Sequence, residues 1–458
     1  VTDGLQRAQQ KMAEAGVAEQ AINVFTDYYR QLQQGSTGYI AEDSIEPLTD
    51  PDLLSEVELD PEDARRAIDQ TVIIKLNGGL GTSMGLDRAK SLLPVRDGAT
   101  FLDLIAGQVL AARAEHGARL PLIFMDSFRT RDDTLERLRR HPELAVAGLD
   151  LDFLQNSEPK LRADDLTPVE WPADPSLEWC PPGHGDLYPA LAASGLLDRL
   201  LEQGFRYASV SNSDNLGAAP NATIAGWFAA SGAPYAAEVC RRTAADRKGG
   251  HLAIRKSDRR LILRDTAQTS ADEMDYFTDE HRHPYFHTNN LWFDLEVLAA
   301  TLAERNGVLG LPMIRNEKTV DPTDPSSPKV IQVESAMGAA VEVFDGATAI
   351  GVGRERFLPV KTTNDLLLLR SDAYRVADDG RLVSTADPMP LVDLDPAHYK
   401  TIQAFDERIR VVPSLREATR LFVRGDWTFD QPVRVVGEAV LDGPGGQVPP
   451  FLPPTPAD

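Results

Sequence analysis

Apolar positions change their period along this chain. Ile22, Phe25, Tyr29 and Leu32 recur at helical spacing, and Gly35 follows as a stop, which predicts an N-terminal helix. The stretch "PLTDPDLLSEVELDPEDARRAIDQ" breaks that pattern and reads as a linker with a short helix begun at Pro61. From Thr71 the runs "TVIIKL", "PLIFMDS", "DLDFLQ", "YASVSN" and "YAAEVC" read as strands. Helical segments such as "FLDLIAGQVLAARAEHG" and "DDTLERLRRH" lie between several of them. Strands alternating with helices predict a mainly parallel α/β sheet, and near-continuous apolar strands predict one covered on both faces. "SAMGAAVEVF" and "TNDLLLLRSDAYRV" read as further helices. After about residue 385, "TRLFVRGDWTFDQPVRVVGEAVLDG" reads as short strands of a β-solenoid or small all-β domain. The Pro/Gly-rich tail "GPGGQVPPFLPPTPAD" predicts little order. Three regions result: a helical N-terminal extension (1–60), an α/β domain (61–384), and a C-terminal β domain with its tail (385–458).

Composition narrows the function classes. The 458 residues carry a net charge of −23, so a nucleic-acid partner would be repelled overall. No apolar run reaches membrane-span length, and the N-terminal "VTDGLQRAQQ" is polar rather than signal-like. Two cysteines, Cys180 and Cys240, make neither a disulfide framework nor a structural zinc set. A cytoplasmic protein without membrane or nucleic-acid partners is expected. If its substrates are anionic, cations must be concentrated locally.

One place for them is "LNGGLGTSMG", Leu76 to Gly85, which directly follows an apolar run. Glycines at a strand end let backbone N–H groups approach phosphate oxygens. The dinucleotide fingerprint fails, because Met84 stands five residues after Gly79. The Walker A pattern fails too, because Leu86 rather than lysine follows Gly85. Lys90 lies a few residues downstream, where it suits a triphosphate; the bland alternative is a tight turn and a surface lysine.

Other segments admit two readings each. In "PPGHGD", His184 stands between Gly183 and Gly185 as a donor to phosphate or a sugar hydroxyl, or as a solvated loop residue. "SVSNSDNLG" brings Asn212, Asp214 and Asn215 to a strand end. Asp214 is there either a Mg²⁺ ligand or part of an Asx turn. His281, His283 and His287 crowd "HRHPYFHTNNLWF" without the Cys or carboxylate pattern of a zinc site. In the same segment Asn289 and Asn290 offer amides to sugar hydroxyls, or serve a plain loop. Lys361 precedes a helix start at Thr363 or Asn364, making an anion site or a surface charge.

Taken in order, "LNGGLGTSMG…AKS", "FLQ", "PPGHGD", "SNSDNLGA", "RRTAADRKGGHL", "TNNLW", "VIQVESAMGAA" and "RFLPVKTTNDLL" resemble the eukaryotic-type UDP-glucose pyrophosphorylases. The likeness is dense over about residues 70 to 375. It implies a Rossmann-like, glycosyltransferase-A-type nucleotidyltransferase domain and a C-terminal left-handed β-helix. The β-helix edges would either mediate homo-oligomer assembly or remain capped. It also implies that glucose 1-phosphate attacks the α-phosphorus of UTP in line, with Mg²⁺ as cofactor, giving UDP-glucose and pyrophosphate.

By that resemblance Leu76, Asn77, Gly78 and Gly79 line the nucleotide and phosphate site. Lys90 and Lys361 contact phosphates as the catalytic cations. Gln155 and Gly183 recognise uracil; His184, Asn212 and Asn289 hold the sugar phosphate; Asp214 binds Mg²⁺. Some positions depart from, or discriminate within, the wider pattern. His287 stands where the family carries asparagine, and Ala89 where it carries proline. Leu80 and Ser83 stand where N-acetylhexosamine enzymes carry glutamine and arginine. A broader UDP-sugar pyrophosphorylase accepting galactose 1-phosphate is the runner-up.

Overall fold

The structure is a computed structural model that describes residues 2–35, 38–243, 246–247 and 249–455. Its central sheet has eleven strands among the described residues. They are β1 (Ile45–Pro47), β2 (Asp52–Leu53), β3 (Thr71–Leu76), β4 (Leu122–Asp126), β5 (Asp152–Leu154) and β6 (Tyr207–Asn212). Then follow β7 (Tyr235–Arg241), β8 (His251–Arg255), β9 (Leu261–Arg264), β10 (Tyr285–Asp294) and β11 (Thr348–Val352). The order is β2-β11-β7-β10-β6-β3-β4-β5; β8 pairs with β10 and is flanked by β1 and β9.

Strands β6, β3, β4 and β5 are parallel, as are β7, β11 and β2. The sheet is nonetheless mixed, because β10 runs antiparallel to both β6 and β7. This reversal has a consequence for position. Val210 pairs with Leu291 and Tyr207 with Asp294, so the start of β10 lies beside the carboxyl end of β6. In the same layer Asn212 pairs with Leu76, Leu76 with Met125, and Asp126 with Leu154. The strand ends at 76, 126, 154 and 212 therefore form one edge, where ligands of open α/β sheets bind.

The apolar runs are buried on both faces, as their composition predicts. Ile73, Leu122, Phe124, Tyr207 and Trp292 enter one core with helices Phe101–His116 and Ala222–Ser231. Val72, Ile74, Ile123, Met125 and Phe293 enter the other, with helices Leu187–Ala193 and Leu295–Glu304. Each such side chain, fully buried, contributes about 1.5–3 kcal/mol. Helix Phe101–His116 starts on a reciprocal Thr100–Asp103 cap and ends at Gly117, φ 62°.

Several expectations are corrected. Residues 45–53, placed in a helical extension, supply β1 and β2, because Ile45 buries against Ala253 and Ile262. The helices of that extension, Thr2–Glu14 and Glu19–Gln33, pack through Met12, Phe25 and Tyr29 onto Leu161, Met313 and Val333. "SAMGAAVEVF" forms only a 3₁₀ segment, Met337–Glu342. The helix Thr363–Arg370 stops early, where Arg96 Nη2 donates to the Leu369 carbonyl, and Tyr374–Val376 is a strand.

The C-terminal region carries strands Leu391–Leu394, Ser414–Val423, Arg434–Leu441 and Phe451–Leu452, each parallel to the next. The tail expected to lack order is thus part of this array as far as Thr455, held by buried Val448 and Leu452. Leu415, Leu421 and Val435 belong to the same continuous core as Ile73 and Phe124. This region also touches the strand-end edge. A Cβ at Gly85 would lie 3.1 Å from the Thr401 side chain, and Thr363 Oγ1 donates to the Tyr399 carbonyl at 2.7 Å. No helix among the described residues is long and apolar enough to cross a membrane.

Candidate active site

The predicted residues close into a ring of contacts on the strand-end edge. A Cβ on Gly78 would meet Gln155 Oε1 at 2.6 Å, so the glutamine side chain lies directly over that glycine. The neighbour of Gln155, Asn156, donates its backbone N–H (2.6 Å) and its side-chain amide (2.8 Å) to Asp186. In the same turn His184 Nδ1 accepts the Met337 N–H at 2.9 Å. Next to Met337, a Cβ on Gly338 would stand 2.8 Å from His287 Cε1. His287 Nδ1 accepts the Asn289 N–H at 3.0 Å. Adjacent Asn290 accepts from Asn215 at 3.0 Å, and Asn215 follows Asp214. Asp214 binds Lys90 Nζ at 2.7 Å, and the Lys90 N–H returns to the Gly79 carbonyl at 3.2 Å. Lys361 joins through its neighbour, since the Val360 N–H donates to the Asp214 carbonyl at 3.2 Å.

The charged part of this ring is incompletely satisfied by protein. Asp214 Oδ2 is taken by Lys90, but Asp214 Oδ1 is buried and without a hydrogen-bond partner among the described residues. Lys361 is exposed and forms no ion pair among the described residues; its backbone N–H caps Asp365 at 2.8 Å. Gly79 is exposed, and a Cβ there would find no described atom within 4 Å, so its backbone is open to a ligand. An orphan carboxylate oxygen beside a lysine fits Mg²⁺, which takes one or two carboxylates and completes its shell with substrate phosphates and water. A fuller protein cage is absent: no group of three or more His, Cys, Asp or Glu among the described residues can hold a metal. The histidines at 281, 283 and 287 accordingly do not converge on a metal site; His283 instead bonds Glu42 at 3.1 Å.

The neutral part is packed. Gly183 has φ +79°, and a Cβ there would stand 2.5 Å from the Ser335 carbonyl oxygen. With Nδ1 accepting, the neutral His184 ring carries its proton on Nε2. Asn289 sits in the left-handed region at φ 60°, a conformation asparagine tolerates better than most residues. His287 is buried, and burial pushes its imidazole down to about 4.

Three candidates do less at the cleft than expected. The Leu76 side chain is in the core, and its carbonyl accepts the Ser213 N–H. Asn77 is 2% exposed and spends its amide on Asp126, Thr134 and Ser213. It ties strand ends together instead of presenting a side chain to substrate. Asn290 likewise gives its NH₂ to Glu238 (3.1 Å) and the Arg356 carbonyl. Asn212 and Asn289 are half-buried at the edge.

Sequence reasoning missed the layer beneath. Glu238 is fully buried and paired with Arg356, which also donates to the Ala219 carbonyl. Lys75, 1% exposed, donates to Ser211 Oγ at 2.7 Å and the Ala218 carbonyl at 2.8 Å. Asp126 is buried behind Asn77, and burial raises its carboxyl to about 7. The readable signal was a single charge inside an otherwise apolar strand, as Lys75 is in "TVIIKL".

An open α/β sheet with a glycine turn, lysines and one under-satisfied carboxylate at its strand ends is the arrangement of a phosphate-handling α/β protein. A family model described as UTP–glucose-1-phosphate uridylyltransferase matches residues 22–435, and the chain belongs to that family. It is 36% identical over 450 residues to the UTP–glucose-1-phosphate uridylyltransferase of Solanum tuberosum, spanning 95% of this chain and 92% of the relative. To the Saccharomyces cerevisiae protein of that name it is 37% identical over 378 residues, 82% of this chain and 74% of the relative. Its structure superposes on a mutant of Leishmania major UDP-glucose pyrophosphorylase in complex with UDP-Glc. There the TM-score is 0.93, with 41% identity and 99% of both chains covered.

Proposed function

We propose that this chain transfers a uridylyl group from UTP to glucose 1-phosphate, with Mg²⁺ as cofactor, yielding UDP-glucose and pyrophosphate. The observation that carries the reading is the Lys90–Asp214 pair, with its orphan carboxylate oxygen, inside a fold shared end to end with a UDP-glucose-bound enzyme. The attacking phosphate is already an anion at neutral pH, so the reaction needs no general base and no protein nucleophile. What it needs is alignment and charge compensation.

The roles follow from position. Asp214 would hold Mg²⁺ through its free oxygen, and the ion would supply charge neutralisation at the α-phosphate and the departing pyrophosphate. Lys90, released from Asp214, and the exposed Lys361 would move onto phosphate oxygens. The open Gly79 backbone gives the triphosphate close approach. Gln155, over Gly78, offers an amide to the uracil edge beside Gly183. His184 Nε2–H, Asn212 and Asn289 would hold the glucose phosphate.

We further assign the C-terminal parallel strands to a left-handed β-helix that serves for self-association. Exposed Leu391, Val440 and Phe451 support that assignment. The buried free thiols of Cys180 and Cys240 fit a cytoplasmic setting. Mixing UTP, Mg²⁺ and a sugar 1-phosphate tests the activity. Pyrophosphate release with glucose 1-phosphate is expected, and silence with it refutes the reading. Comparable rates with galactose 1-phosphate would instead favour the broader UDP-sugar enzyme.

A further inference from the structure

Lys75 is the one lysine on β3, and it sits beneath the turn that bears Asp214. It pairs with Ser211 in the parallel register, so the two side chains share one face of the sheet and meet there, Nζ to Oγ. Its ammonium is capped by two neutral acceptors, Ser211 Oγ and the Ala218 carbonyl, at the two ends of residues 211–218. No carboxylate among the described residues lies within ion-pair distance of it; Glu238 is committed to Arg356. An unpaired buried ammonium is costly, and natural cores rarely keep one without a partner. Burial, followed by the nearby Arg356 charge, pushes this ammonium down to about 7. A hydrophobic side chain of similar length would fill the same space at lower cost.

We propose that Lys75 is a positioning residue for uridylyl transfer: it clips both ends of the 211–218 turn, and so holds Asp214 and Asn212 in place, at the expense of fold stability. The inference rests on the reading of Asp214 given above. Lys75 itself touches neither substrate nor metal. Its effect on catalysis runs through the turn, which the Arg356 bond to the Ala219 carbonyl and the Gln108 bond to the Leu216 carbonyl also support from below. The backbone at the Ser211 end is also held by the β6–β3 ladder and by the Ser213 N–H on the Leu76 carbonyl; Lys75 adds the side-chain link that joins this end to Ala218.

The test compares Lys75→Met, Asp214→Asn and the double variant, reading kcat, the Mg²⁺ concentration at half-maximal rate, and the melting temperature. Lys75→Met is expected to melt no lower than the parent, yet to lose at least ~10-fold in kcat and need several-fold more Mg²⁺. In the Asp214→Asn background the same change is expected to cost less than twofold, because the element it positions is already disabled. Activity and Mg²⁺ dependence within twofold of the parent in folded Lys75→Met overturn the proposal. So do effects that simply multiply in the double variant. If Lys75→Met does not fold, Lys75→Gln is measured in its place. Failure of both to fold also overturns the proposal, since the lysine would then be a requirement of the fold. Full activity of Asp214→Asn by itself would instead refute the site assignment on which the proposal rests.

Discussion

The two glycine-bearing turns of the cleft use the same residue for opposite ends. Around 78–85 functional atoms lack partners among the described residues: Gly79 faces open space, Asp214 Oδ1 is orphaned, and Lys361 has no ion pair. Around 183–185 the approaches are filled, with Gly183 against the Ser335 backbone and His184 already bonded to Met337. One side is charged and incomplete without a ligand. The other is closely packed by protein, although His287 Nε2 is likewise buried without a partner among the described residues. This division suits a reaction whose barrier is electrostatic but whose choice of base and sugar depends on shape and hydrogen bonding.

The contrast can be broken most forcefully at Asp214. Asp214→Ala should remove Mg²⁺-dependent pyrophosphate release while leaving the melting curve near the parent's; unchanged Mg²⁺ dependence would contradict the ligand role. Lys361→Ala should follow, with turnover down at least ~100-fold, the scale of one lost transition-state charge partner. Near-normal turnover in that variant would take Lys361 out of the site. Gly183→Ala should act on stability instead. A methyl group at φ +79° and 2.5 Å from the Ser335 carbonyl oxygen should destabilise by about 2–4 kcal/mol, read from denaturant unfolding. Gly79→Ala should do the reverse, keeping stability but lowering kcat/KM for UTP by about tenfold, since its methyl would occupy ligand space only. If both glycine variants moved the same observable, the division would not hold.

The smallest effect near neutral pH is a titration. His287 has an ordinary pKa of 6.5 but titrates at about 4 in the fold. Between those values the unfolded chain binds more protons, so stability falls as pH drops below 6.5. The loss is about 1 kcal/mol between roughly pH 8 and pH 6 and grows until about pH 4. His287→Asn should remove that share of the slope, measured as the difference between the two proteins' stability at each pH.

The strand-end residues were legible because glycine clusters, strand-terminal Asp and Asn, and helix-start lysines are local signals. Gly78, Gly79, Lys90, Gln155, His184 and Asp214 fall on one edge for that reason. What was not legible depended on register. Nothing local marks β10 as reversed, and its direction decides that Asn289 rather than Asp294 reaches the cleft. Burial of Asn77 and Asn290 is equally non-local: an amide that looks suited to a sugar hydroxyl is consumed by Asp126 or Glu238 once the sheet forms. In "VPPFLPPT" the composition misled, because a parallel array accepts proline between its short strands where a free chain would stay open.

The contacts of Gly85 with Thr401 and of Thr363 with Tyr399 bear on modularity. Both segments proposed to meet phosphate, the glycine turn and the start of the Lys361 helix, rest on residues beyond 385. The C-terminal array is therefore not an exchangeable appendix. A chimaera joined near residue 385 would import foreign footings for the segments that carry Lys90 and Lys361. Residues 399–401 are where recombination between relatives should be tolerated least.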